Sequence, residues 1–144
     1  MHPFRSAIET GDVDGVLELF SPDVTFNSPV VFRPYRGREA LGVILRAVMR
    51  VFEDFRYERE IGAEGASDHA LVFSARVGDR ELHGCDFLHT DQHGLIDELT
   101  VMVRPRSAML ALAEAMSAEV LAIQREQGAQ RRHAVAISIQ TTGV

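Results

Sequence analysis

Residues 81–105 read ELHGCDFLHTDQHGLIDELTVMVRP. Leu82, Gly84, Asp86 and Leu88 recur with a period of two, and Leu99, Val101 and Val103 do the same further on. Between the two runs stands Thr90-Asp91-Gln92-His93-Gly94, five turn-forming residues in which Gly94 is free to take positive φ. Pro105 lacks an N–H for a sheet ladder and stops the second run. The stretch therefore predicts a β-hairpin with one face on a core. Asp86 is in phase with Leu82 and Leu88. A carboxylate on an apolar face is costly unless a partner or a wet cavity receives it, so Asp86 is the leading candidate for chemistry.

Outward from this hairpin, Phe55–Ile61 alternates with one polar face, and Leu71, Phe73, Ala75 and Val77 are in phase within 69–77. Gly78-Asp79 is a two-residue hairpin signal. Residues 55–104 thus predict a four-strand meander. Val24–Ser28 predicts a short strand, with Pro29 and Pro34 bracketing an irregular extended segment. Helical spacing appears in three places. Phe4, Ala7 and Ile8, then Val13, Val16, Leu17 and Phe20, give a broken N-terminal pair stopped at Ser21-Pro22-Asp23. Leu41, Ile44, Leu45, Val48, Met49 and Phe52 mark a helix from Arg38, capped by Gly37. Met109, Leu112, Ala113, Met116, Val120 and Ile123 mark a last helix from Ala108 to about Gln127, ended by Gly128. Gly42 inside the middle helix costs about 1 kcal/mol against alanine, which points to close packing there.

Strands grouped apart from helices mean an α+β fold. Residues 1–127 form one domain. Residues 128–144 form a tail, read as either an extra edge strand or a disordered end.

Composition bounds the function. The chain has 144 residues, 46% of them apolar, and a formal net charge of −6. That balance, without a basic stripe, argues against nucleic acid as a partner. Cys85 is the single cysteine, so neither an intramolecular disulfide nor a thiolate metal cluster is expected. The polar start MHPFRSAIETGD has no apolar h-region, and no apolar run reaches the roughly 20 residues of a spanning helix. No membrane partner and a cytoplasmic location are expected. Glycine-rich phosphate loops and His-Glu-x-x-His are absent, and no metal or cofactor is expected.

Three segments, GDVDGVLELFSPDVTF, PYRGREAL and GCDFLHTDQHGLIDELTVMVRP, resemble in order the SnoaL-like branch of the NTF2-like superfamily over roughly residues 4–120. The resemblance implies a cone-shaped, curved, mostly antiparallel sheet with helices on its concave face. It also implies a deep apolar pocket for a hydrophobic small molecule and a homodimer across the outer sheet face. Relatives include polyketide cyclases, ketosteroid isomerases and limonene epoxide hydrolases, alongside non-catalytic binding modules. Isomerase members need a tyrosine and a second acid that together form an oxyanion site. The first-helix position that supplies the tyrosine lies here among Leu17, Leu19 and Phe20, a departure that argues against ketosteroid isomerisation. The hydrolase type needs an Asp-Arg-Asp set, for which Arg76, Asp86 and Asp97 exist, but Arg76 is out of phase with Phe73 and Ala75.

In such a pocket Asp86 is either a general acid or base, or a structural carboxylate bonded to a neighbouring strand or to Tyr35. His83 joins it only if a bulge near Gly84 reverses its face. Phe4, Phe26, Phe52, Phe73, Leu88, Leu99 and Val101 are expected to wall the hollow, with Ser28 at its rim, and Tyr35 and Arg104 within reach. Glu98 is expected to pair with an arginine. A second polar group within reach of Asp86 inside a closed apolar pocket favours an enzyme; a pocket filled by Phe4, Phe26, Phe52, Phe73 and methionine side chains favours a binding or dimerising module.

Overall fold

A computed structural model describes the backbone of residues 1–142 and the side chains of residues 1–132. The elements run α1 (Pro3–Thr10), α2 (Val13–Leu17), β1 (Phe20–Asn27), β2 (Tyr35–Arg36), α3 (Arg38–Val51), β3 (Glu53–Ile61), β4 (Asp68–Val77), β5 (Arg80–Thr90), β6 (Ile96–Arg104) and α4 (Arg106–Thr142). This is the expected α+β architecture: a curved six-stranded sheet in the order β2-β1-β6-β5-β4-β3, with the helices on one face.

The meander forms as its alternation dictates. Val77 pairs with Arg80 across Gly78-Asp79, where Gly78 takes φ 59°. Gly94 takes φ 81° in the turn before β6. Leu82, Gly84, Asp86 and Leu88 are buried while His83 and Phe87 are exposed, so the period of two fixes which face of β5 meets the core.

Two features were not expected. β1 begins at Phe20, so Ser21-Pro22-Asp23 lie inside the strand instead of ending a helix. β1 pairs in parallel with β6, and its register shifts between Phe20 and Thr25, the kind of irregularity where a proline is tolerated. The second concerns the tail. α4 passes through Gly128 and continues to Thr142, a helix where the tail was read as an extra edge strand or a disordered end; residues 143–144 lie outside the described residues. The glycine penalty of about 1 kcal/mol is outweighed by good helix formers on both sides. Arg50 pairs with Glu119 and Glu126, and Arg131 with Glu39, which tie α4 to α3.

α4 is long and apolar enough over Arg106–Arg132 to cross a membrane by length and composition, where no such run was expected. Ala108, Leu112 and Ile123 are instead buried against the rest of the fold, and the helix packs along α3 and the sheet.

The helices pack closely on one another and on the sheet. Gly42 is buried where a Cβ would stand 3.1 Å from Leu17, which explains the glycine inside α3. α1 is capped by His2, whose Nδ1 accepts from the Phe4 N–H at 3.1 Å. Phe4 and Phe20 meet edge to face, with centroids 5.8 Å apart.

Candidate active site

Asp86 sits in the middle of the concave face, between Leu71 of β4 and Val101 of β6. Its side chain faces a cavity of about 840 Å³ enclosed by the sheet, α1, α3 and α4. The walls are almost wholly apolar: Phe4 and Ile8, Ile44 and Val48, Phe52, Phe55 and Phe73, Leu112 and Met116. Asp86 is the one carboxylate among the described lining residues, and no lysine, arginine or histidine lines the space with it.

Two strands away, Tyr57 of β3 points to the same spot. Its hydroxyl donates to Asp86 Oδ2 at 3.0 Å. Strands lie about 4.8 Å apart, so the contact reaches over β4. It passes Phe73, the register partner of Tyr57. The Tyr57 ring is itself held edge-on to Phe55 at 4.9 Å, and the Arg5 guanidinium stands 5.6 Å from its centroid. Arg5 is anchored in turn by Glu9 at 3.0 Å.

Gly84 makes room for this arrangement. A Cβ there would fall 2.1 Å from the Phe73 ring, so only glycine lets Phe73 lie flat across β5 beside Asp86.

The electrostatics follow from burial. Removal from water disfavours the Asp86 carboxylate and pushes its pKa up to about 7, with the Tyr57 hydrogen bond partly opposing the rise. Tyr57 is driven far above its ordinary value by burial, then by the adjacent carboxylate and their hydrogen bond. Tyr57 is therefore a fixed donor. Among the described residues no protein group bonds Asp86 Oδ1.

The structure gathers most of the sequence-derived candidates. Phe4, Phe26, Ser28, Tyr35, Phe52, Phe73, Leu99 and Val101 line the cavity with Asp86. Three do not. His83 is on the outer face: β5 carries no register shift near Gly84 that could turn it inward. Arg104, out of phase with Val101 and Val103, also points outward and donates to His83 Nδ1 at 2.9 Å, beside a separate polar cleft. Leu88 faces inward but is packed in the core, 1% exposed, away from the cavity.

Tyr35 is not the partner of Asp86. It packs on Phe26, with ring centroids 6.2 Å apart. Glu98 is exposed and makes no ion pair among the described residues. Arg76 binds Glu53 and Asp54, and Asp97 binds His89 at 2.6 Å, so neither joins Asp86.

Sequence reasoning missed Tyr57. A signal was present, since Tyr57 is in phase with Phe55 on β3, and a buried tyrosine hydroxyl usually finds a partner. Among the described residues no group of three or more His, Cys, Asp or Glu side chains is placed to hold a metal.

The SnoaL-like domain family matches residues 2–99, two thirds of the chain and all of the site except the last strand and helix. The chain belongs to the SnoaL-like family. Solved structures share the fold of this SnoaL-like protein. A steroid delta-isomerase from Pseudomonas aeruginosa is 39% identical over 83% of this chain and 88% of its own, with a TM-score of 0.78. An uncharacterized bacterial protein with a cystatin-like fold from Silicibacter pomeroyi is 31% identical over 91% and 94%, with a TM-score of 0.80. An NTF2-like protein from Cytophaga hutchinsonii is 19% identical over 73% and 87%, with a TM-score of 0.55, and shares the fold alone. No curated protein matches the chain.

Proposed function

We propose that this SnoaL-like protein is a cofactor-independent proton-transfer catalyst of the isomerase type, acting on a hydrophobic small molecule that carries a carbonyl group. One observation carries the reading: a carboxyl with one oxygen held by Tyr57 and the other free, at the floor of an apolar cavity.

A general base or acid works best with a pKa near the operating pH, and Asp86 is pushed to about 7. As carboxylate, Oδ1 removes a proton from the carbon beside the carbonyl. The C–H electron pair moves into the carbonyl system to give an enolate. The Asp86 acid so formed returns the proton to the original carbon or, in a conjugated substrate, to a more distant one, which shifts the double bond. Tyr57 holds the carboxyl in place and does not release its own proton. The cavity volume lies within the range of small-molecule sites.

The steroid delta-isomerase relative supports an isomerase in kind. Tyr57 reaches Asp86 from β3 and not from the first helix, and among the described lining residues there is no second acid, so the ketosteroid-isomerase pair of tyrosine and second acid is not reproduced and the proton transfer falls to Asp86. A module filled by its own aromatic side chains fits less well with a cavity of about 840 Å³.

The test needs no knowledge of the natural substrate. Hydrophobic ketones incubated with the protein in deuterated water should exchange their α-protons faster than without it, followed by NMR. Asp86→Asn should lower that acceleration by about 10²- to 10⁴-fold. Exchange that persists unchanged in the variant contradicts the proposal.

The same proposal includes a cytoplasmic protein and a homodimer across the outer sheet face. Phe87 and Met102 stand 42% and 58% exposed there on adjacent strands. Phe87→Asp should shift the mass in solution from dimer to monomer.

A further inference from the structure

The mouth of the cavity carries a concentration of exposed apolar side chains. Val30, Val31 and Leu121 line the cavity and are still 45%, 42% and 48% exposed. Next to them Phe32 is 102% exposed, as bare as the side chain can be. These residues, apart from Leu121 on α4, belong to the loop between β1 and β2, which contains neither helix nor strand. The loop is organised by Ser28, whose Oγ accepts from the Val30 and Val31 N–H groups at 3.3 and 2.9 Å. These bonds are local. Among the described residues no hydrogen bond ties Phe32 to the body of the fold.

The cavity lining thus includes Val30 and Val31 of this loop, and the bare Phe32 ring follows them directly in the chain. A short ligand would stay inside and leave Phe32 in water. A long one would extend to the exposed lining side chains Val30, Val31 and Leu121, next to which Phe32 follows in the chain. We propose that Phe32 is a specificity-determining ligand contact: the loop closes its ring over the outer end of long apolar molecules and selects them over short ones. This deepens the pocket reading and rests on the cavity binding an apolar ligand, but not on turnover.

The experiment uses the full chain and a series of straight-chain methyl ketones from six to fourteen carbons. The chain contains no tryptophan, so Phe32→Trp places a single indole reporter at the loop tip. Its emission should shift to the blue with the long ketones and stay in place with the short ones. Phe32→Ser should weaken the long ketones by roughly ten- to a hundredfold and leave the short ones unchanged. Both variants sit at a fully exposed position, so folding is preserved.

Equal affinity of Phe32→Ser and wild type for the long ketones overturns the proposal, as does an indole emission that ignores them. A blue shift produced without ketone, by raising protein concentration or by phosphatidylcholine vesicles, also overturns it and assigns the loop to self-association or to a lipid surface. Because the readout is binding, tight long-ketone binding without α-proton exchange leaves the loop assignment standing and removes only the catalytic reading. If no ketone of any length binds wild type, both fall.

Discussion

The Tyr57 hydroxyl donates to Asp86 Oδ2 at 3.0 Å, from a strand that is not a neighbour of the one carrying the acid. Among the described residues no cation lines this cavity to balance the carboxylate, so that bond is what they offer the charged form. Removing it should raise the Asp86 pKa further. Tyr57→Phe is expected to move the acid limb of the pH–rate profile upward by about 1 to 2 pH units, since a hydrogen bond to a charged group contributes roughly 1.5–3 kcal/mol. The rate at pH 7 should fall with it. A pH–rate profile superimposable on that of wild type would separate Tyr57 from the function of Asp86.

Stability should depend on pH in a direction unusual for an aspartate. The folded-state pKa of about 7 lies above the ordinary value of 3.8. Between these two pH values the unfolded chain gives up the proton and the folded chain keeps it, so stability falls as pH rises. Below pH 4 both states are protonated and the penalty vanishes. Above pH 7 it is complete, on the order of 4 kcal/mol. Asp86→Asn, which cannot ionise, should therefore be more stable than wild type at pH 8 and similar to it at pH 4. Urea denaturation midpoints across that interval measure the difference. A variant less stable than wild type at pH 8 would mean that Asp86 is a structural anchor.

Gly84→Ala tests whether the floor of the cavity depends on a missing side chain. The added Cβ would overlap Phe73, which is 1% exposed and cannot swing into solvent. The ring is expected to tip toward Tyr57 and the cavity, with a loss of about 1–3 kcal/mol from overpacking and weaker binding of apolar ligands. Shortening the ring with Phe73→Leu in the same chain should restore part of both. Thermal melts and ketone titrations report the two effects separately.

Much of this fold is written in local pattern. The alternation of Leu82, Gly84, Asp86 and Leu88 set the inward face of β5, and the same alternation correctly left His83 outward unless a bulge intervened. The helical spacing of Leu41 to Phe52 gave α3 to within a residue. What local pattern could not give was contact between distant segments. β1 and β6 pair in parallel although Thr25 and Glu98 are far apart along the chain. The Tyr57–Asp86 bond, 29 residues apart, depends on how far two side chains lean across β4. Periodicity names a face but not a place along it, which is why Leu88 was assigned to the cavity and packs in the core instead. At Gly128 a local stop signal was overridden by the helix-forming residues around it and by ion pairs to α3.

The central claim is that Asp86 is an acid–base group poised at neutral pH by its surroundings. Carbon-13 NMR titration of the Asp86 side-chain carboxyl, assigned by comparison with Asp86→Asn, tests it most directly. A midpoint near 7, far from the ordinary 3.8, is the predicted result. A midpoint near 4 would show a solvated carboxylate and contradict the account.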